Sequence, residues 1–281
     1  MIKTIGVCGA GTMGSGIAQV AAMGGFKTVL FDVDPAMVQR GLDAIGKNLE
    51  ALVDRQKLDA GELQVILRRL SGTHRIEDCV TDFIIEAIVE LPDTKTQLFR
   101  QLATVNSDST IFASNTSSLS LDMLAGLIPR PERFIGMHFF NPAPQMRLVE
   151  VINTRHTAAG TTRTVLAVAE QMGKTAVLCK DAPGFIVNHV ARPYYLEALR
   201  LAEAGIADFE TIDTLMEASG FRMGPFRLMD LIGNDINYAV SCSVYEALGE
   251  PLRLRPSLLQ QEKVQKGELG RKTRKGYYRY A

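Results

Sequence analysis

The segment Gly9-Ala-Gly11-Thr-Met-Gly14 constrains this chain more than any other, because an apolar strand pattern over Thr4–Cys8 precedes it and a helical pattern rich in small residues over 13–23 follows it. In such a strand–turn–helix the first glycine allows the tight turn. The second lets backbone N–H groups approach a pyrophosphate, and the third lets the helix pack closely on the strand. The phosphate then meets the positive end of the helix dipole. The next strand pattern ends in Asp32, 18 residues after Gly14. A carboxylate there accepts hydrogen bonds from the adenosine ribose and repels a 2′-phosphate. Val33 and Asp34 follow, with no Arg or Lys to receive such a phosphate. The expected cofactor is therefore NAD, held by Gly9, Gly11, Thr12, Met13, Gly14 and Asp32.

Beyond this start, short β-rich runs alternate with helical patterns. Strands are expected at Thr4–Cys8, 28–31, 83–87, 110–113, Phe134–Phe139, 148–152 and 176–179, with helices at 13–23, 35–53, 95–102 and 161–172 between them. Asp34 suits the N-cap of the second helix and Pro35 its first turn. The rhythm predicts an α/β, Rossmann-type, mostly parallel sheet. After Asp181-Ala-Pro-Gly184 the pattern turns almost wholly helical, at 185–204, 209–219, 228–248 and 256–265. The expected organisation is a sheet domain over residues 1–183 and a smaller all-α domain over 184–281, which completes the substrate cleft.

Composition removes several function classes. Lys+Arg and Asp+Glu both total 31, so no net charge draws the chain to nucleic acid or an anionic membrane. The uncharged run from Ile5 to Phe26 holds seven glycines together with Thr12, Ser15 and Gln19, too polar and glycine-rich for a membrane span. With the first strand starting near Thr4, no cleavable presequence is expected. Four scattered cysteines without a C-x-x-C pair point to reduced thiols in the cytoplasm. Neither they nor the four histidines have zinc-ligand spacing, so no metal is expected.

Three stretches bear on chemistry. Ala113-Ser-Asn-Thr-Ser-Ser118 sets hydroxyls and an amide at the carboxyl end of a strand, where open α/β sheets bind ligands. Ser120 reads as a helix cap, which does not account for the polar residues before it. Gly136-Met-His138-Phe-Phe-Asn141-Pro142 ends another strand with a histidine among apolar residues, and Glu150 lies 12 residues on, on a strand able to return beside it. A carboxylate against an imidazole fixes its tautomer and keeps it competent near neutral pH. Taken alone, a histidine beside two phenylalanines is more often a satisfied core residue. Pro183-Gly-Phe-Ile-Val-Asn188 brings an amide across the domain boundary.

With GAGTMGSGIAQ, EAIVE, ASNTSSLS, GMHFFNPAP, LVEV, PGFIVN, MGPF and GRKTRKGYY in that order, the chain resembles the short-chain L-3-hydroxyacyl-CoA dehydrogenases along essentially its whole length. The resemblance implies NAD-dependent, reversible oxidation of a (S)-3-hydroxyacyl-CoA in fatty acid metabolism, with His138 as base, Glu150 as its partner, and Ser117 and Asn188 on the substrate oxygens. It implies Glu90, Lys95, Ser117 and Asn141 at the cofactor site, and a homodimer formed through the helical domain. Lys47, Arg55 and Lys57, on or just after the long second helix, are candidates for the coenzyme A phosphates. Arg274, where a small residue usually stands, and Asn234, often an apolar position, depart from the pattern. No further domain of the kind carried by multifunctional relatives is expected.

Rival readings remain at this point. A gulonate dehydrogenase-like enzyme acting on free hydroxy acids shares the histidine, glutamate and fold. A 3-hydroxyisobutyrate or 6-phosphogluconate type wants a catalytic lysine where this chain has Gly184-Phe-Ile-Val-Asn188-His. A non-catalytic structural or NAD-sensing descendant has no need of both His138 and Glu150.

Overall fold

The computed structural model describes residues 1–281 and divides into two compact units, Met1–Asp181 and Ala182–Ala281. The first is an eight-stranded sheet with helices. Its strands are β1 (Thr4–Cys8), β2 (Lys27–Phe31), β3 (Leu70–Thr73), β4 (Phe83–Glu86), β5 (Ile111–Ser114), β6 (Phe134–Phe139), β7 (Leu148–Asn153) and β8 (Thr175–Lys180). They lie in the order β3-β2-β1-β4-β5-β6-β7-β8. Every neighbouring pair is parallel except β6 and β7, which are antiparallel. The sequence order of the strands reverses between β1 and β4, and a ligand crevice forms at the carboxyl ends of strands on either side of such a switch.

The helices follow from local sequence. α1 (Thr12–Met23) packs through Gly14, Ile17, Ala18 and Ala21, and small residues on that face let it lie close to the sheet. α2 (Pro35–Asp54) starts where Asp34 accepts the Ala36 N–H at 2.8 Å. α3 (Ala60–Leu67) is set by a capping box, Asp59 with Glu62. α4 (Pro92–Val105), α5 (Leu121–Ala125) and α6 (Ala159–Gln171) complete this unit. The core is continuous, joining Ile5, Val7, Phe83 and Ile85 in the sheet to Ile17 and Phe26 around α1 and to Ile45 and Leu49 of α2.

Two elements here escape the sequence pattern. α3 is short, and β3 is an edge strand of mostly exposed or half-buried residues containing Ser71 and Gly72, so neither shows a clear apolar period.

The second unit is helical: α7 (Val187–Glu203), α8 (Phe209–Ala218), α9 (Pro225–Ile232), α10 (Asn234–Ala247) and α11 (Leu258–Gln265). A single helix expected over 228–248 is two, because Gly233 takes φ +107°, which no α-helix accommodates. The unit closes on a carboxyl-terminal clasp. Asp230 accepts the backbone N–H groups of Tyr277 and Tyr278 at 3.0 Å each and the Tyr280 hydroxyl at 2.9 Å. Asp213 accepts the Tyr278 hydroxyl at 2.8 Å. Asn234, the unusual polar residue, donates its amide nitrogen to Asp230 at 2.9 Å, while its side-chain oxygen is buried without a partner. Arg274 adopts a left-handed backbone, φ +57°, the conformation in which glycine is the least strained residue. No helix of the chain is long and apolar enough to cross a membrane.

Candidate active site

The carboxyl end of β1 turns into α1 through the glycine segment. Gly9 has φ +102°, and a Cβ there would sit 2.5 Å from the Ala87 carbonyl oxygen of the loop after β4. A Cβ on Gly14 would stand 1.7 Å from the Gly9 oxygen, so side chains at these two positions are excluded by their own backbone. At Gly11, by contrast, nothing lies within 4 Å of where a Cβ would be. That open space adjoins the amino terminus of α1, as an approaching phosphate requires. Asp32, ending β2, accepts the Ala10 N–H at 2.8 Å and the Asp34 N–H at 3.2 Å, which holds its carboxylate beside the turn. The donor set and the open cradle fit a dinucleotide with unphosphorylated ribose.

A cleft of about 640 Å³ runs from this cradle, lined by Gly11 and Thr12 of the α1 start, by Arg40 on α2 and Arg55 just after it, and by Asn141. Of the three basic residues expected near coenzyme A, Arg55 lines it. Lys47 and Lys57 are exposed and lie outside its lining. Arg40 was not singled out from the sequence. The signal was its 15-residue spacing from Arg55, about four turns of helix, which sets both toward one side.

At the carboxyl ends of β4 and β5 stands a buried charge cluster. Lys95 of α4 has no exposed side-chain surface, and its Nζ lies 2.6 Å from Glu86 and 3.1 Å from Glu90. Lys95 therefore supports Glu90 from behind rather than facing open space. Glu86 also accepts the Ser114 hydroxyl and the Ile88 N–H, each at 2.7 Å. Burial raises the Glu86 carboxyl above its ordinary range, against the opposing pull of Lys95 and these donors. Burial acts the same way on Glu90, but there the Lys95 charge and donors from Thr116 and Ser117 more than reverse it, and the carboxyl is held low.

Glu90 explains the run of hydroxyls in the loop after β5. Its Oε1 accepts the Thr116 hydroxyl, the Ser117 N–H at 3.0 Å and the Ser118 hydroxyl at 3.2 Å. The Ser117 hydroxyl itself makes no hydrogen bond within the protein. Asn115 accepts the Phe139 N–H at 2.8 Å, tying this loop to the end of β6. Glu86 is the member of this group that the sequence reading missed. An acid closing the apolar strand Phe83-Ile-Ile was its signal.

Antiparallel pairing of β6 with β7 sets His138 directly opposite Glu150. The imidazole Nδ1 lies 2.8 Å from a Glu150 carboxylate oxygen, with both side chains buried. The Phe140 ring lies 4.6 Å from the imidazole, centre to centre. Asn141 follows β6 and is exposed. Asn188 belongs to the second unit, in the first turn of α7.

Residues 4–182 match the NAD-binding domain of 3-hydroxyacyl-CoA dehydrogenase, and residues 184–280 match its C-terminal domain. The chain belongs to the 3-hydroxyacyl-CoA dehydrogenase family of NAD-dependent oxidoreductases. It is 45% identical over 279 residues to 3-hydroxyadipyl-CoA dehydrogenase of Escherichia coli (strain K12), covering 99% of this chain but 59% of that relative's length. A probable 3-hydroxybutyryl-CoA dehydrogenase of Deinococcus radiodurans is 43% identical, covering 98% of this chain and 99% of the relative. A crystal structure of (S)-3-hydroxybutyryl-CoA dehydrogenase from Ralstonia eutropha superposes with a TM-score of 0.96 at 39% identity, covering 100% of both chains. The expectation of a Rossmann-type sheet followed by a helical domain, with NAD as cofactor, is borne out.

Proposed function

We propose that this chain catalyses reversible NAD-dependent oxidation of a short (S)-3-hydroxyacyl-CoA, such as 3-hydroxybutyryl-CoA, to the 3-ketoacyl-CoA. The observation that carries this reading is the 2.8 Å contact between His138 Nδ1 and Glu150 at the end of β6. With Nδ1 turned to the carboxylate, Nε2 is the nitrogen that exchanges a proton with substrate, and Glu150 stabilises the imidazolium that results. The C3 hydroxyl gives its proton to Nε2. A dinucleotide held by the glycine turn and Asp32 would supply the acceptor for the hydride that leaves C3. In the reverse direction the imidazolium returns its proton to the forming C3 alkoxide.

Ser117 and Asn188 are assigned to the C3 oxygen. The uncommitted Ser117 hydroxyl supports its part, since Glu90 fixes the Ser117 backbone and leaves that hydroxyl available to substrate. Gly9, Gly11, Thr12, Met13, Gly14 and Asp32 hold the dinucleotide. Glu90 and Asn141 border it, and Lys95 keeps Glu90 ionised and in place. Arg55 is assigned to the coenzyme A phosphates, with Lys47 and Lys57 as secondary, solvated contributors. Residues 1–183 thus carry cofactor binding and proton transfer, and residues 184–281 carry Asn188 and the contact with a second copy. Ile206, Leu215, Leu252 and Leu258, exposed on the helical unit, support a homodimer formed there. The cytoplasm, with its reduced thiols, is the compartment proposed.

The experiment is NADH oxidation with acetoacetyl-CoA compared with free acetoacetate and free keto-acids of sugars. Turnover of the thioester alone is expected. Turnover of free acids without the thioester would instead favour the gulonate dehydrogenase-like reading.

A further inference from the structure

Lys174, in the turn between α6 and β8, is a buried ammonium for which the first unit supplies no acid. It is 9% exposed and belongs to none of the ion pairs of that unit. Burial lowers its ammonium below the ordinary range, and no neighbouring carboxylate offsets that. Its acceptors are two backbone carbonyls. Nζ donates to the Ala143 oxygen at 2.5 Å and to the Met146 oxygen at 2.8 Å. The lysine itself is rooted at the end of α6, where its backbone N–H meets the Ala169 carbonyl at 3.0 Å.

Both acceptors lie in the segment that joins β6 to β7. Within it the Pro142 carbonyl accepts the Gln145 and Met146 N–H groups at 3.0 Å each, which closes a turn. From Phe140 to Met146, the two bonds from Lys174 are the only hydrogen bonds to another element. The turn rests on α1, since a Cβ on Gly16 would come within 3.2 Å of Ala143 Cβ and of Pro144 Cδ. The same turn lines the cleft of about 640 Å³ that Gly11, Arg40 and Arg55 also line.

Burying a cation without a counter-ion opposes folding. What the ammonium adds is position. One nitrogen with charge-assisted bonds to Ala143 and Met146 fixes the turn at two points and so sets where that side of the cleft stands. His138 precedes the segment and is fixed separately, by the β6–β7 pairing and Glu150. All of these residues belong to the first unit.

We propose that Lys174 is a positioning residue for the coenzyme A portion of the substrate, acting by holding the Pro142–Met146 turn as a wall of the cleft. The inference rests on the dehydrogenase reading and on the assignment of Arg55 to the coenzyme A phosphates. Without the ammonium the turn is free to shift, and a displacement of about 1 Å is enough to spoil contacts along a bound ligand.

The test measures kcat and KM of the full chain with NADH for acetoacetyl-CoA and for acetoacetyl-N-acetylcysteamine, which carries the same acyl group without the nucleotide. In Lys174→Met, KM for the CoA thioester is expected to rise about tenfold with kcat within about twofold of wild type. For the truncated thioester, kcat/KM is expected to stay within about twofold, because it does not reach along the cleft. Lys174→Gln, which keeps a neutral donor at the site, is expected to give a smaller rise confined to the CoA thioester, and serves if the methionine variant does not fold. An unchanged KM for the CoA thioester, or an equal loss on both thioesters, overturns the proposal. Arg55→Ala is the control on the cleft: it is expected to raise KM for the CoA thioester alone, and no rise removes the cleft assignment and this inference with it. Absence of wild-type turnover with either thioester instead removes the dehydrogenase reading.

Discussion

Replacing Lys95 with methionine isolates the electrostatics that organise the substrate loop. Lys95→Met keeps the length of the side chain but leaves Glu86, which has no exposed surface, without its cation at 2.6 Å. Removing one partner of a buried ion pair costs about 3–5 kcal/mol. The sign with pH follows from Glu86, whose folded-state carboxyl is already raised by burial. A raised carboxyl contributes stability below its unfolded value and loses that contribution as pH rises through the folded one. Without Lys95 the folded value climbs further, and the variant must take up a proton to fold. The penalty then grows by up to about 1.4 kcal/mol per pH unit, or up to about 3.5 kcal/mol between pH 5.5 and pH 8. At about 2–4 °C per kcal/mol for a domain of this size, that is a melting loss up to about 7–14 °C larger at the alkaline end. Melting followed by intrinsic fluorescence across that range, with Glu86→Gln added to Lys95→Met as the second arm, reads this directly. The double variant removes the fully buried stranded charge, so the pH slope is expected to shrink to the smaller part contributed by Glu90, which also loses Lys95. A loss in Lys95→Met that is the same at every pH refutes the reasoning.

Asp32→Ala removes the acceptor of the Ala10 N–H and the ribose-facing carboxylate. NADH binding, measured by nucleotide fluorescence, is expected to weaken about ten- to a hundredfold while NADPH binding changes little or improves; an unaltered NADH affinity contradicts that assignment. Arg274→Gly relieves a left-handed backbone at φ +57° and is expected to stabilise the helical unit by about 1 kcal/mol. An unchanged or lower denaturant midpoint tells against strain at that residue.

How much of this was legible in the sequence depended on whether a feature is local. The glycine turn and Asp32 could be read because strand, turn and helix follow one another within about thirty residues, and backbone sterics dictate where glycine must stand. The approach of Glu150 to His138 could be anticipated because two strands joined by a short connection pair antiparallel, and register does the rest. Other features hide because their meaning lies in a distant partner. Glu86 reads as the end of a strand, and only Lys95, nine residues on and inside α4, shows it to be half of a buried pair. Arg192 reads as one more charge on an amphipathic helix until α10 is seen to cover it. Gly233 divides α9 from α10 through a backbone angle that apolar periodicity does not report. β3 and α3 were missed because short elements at a sheet edge bury too few side chains to leave a period, although Asp59 and Glu62 carried the capping signature of α3.

The central claim is that His138, oriented by Glu150, moves the proton while the rest of the cradle merely binds. The most direct measurement is single-turnover reduction of acetoacetyl-CoA by NADH in His138→Gln, alongside its NADH dissociation constant. The account predicts a rate lower by about 10²–10⁴-fold, with cofactor affinity within about twofold of wild type, since no cradle residue has changed. A variant that reduces the thioester within about tenfold of the wild-type rate contradicts it.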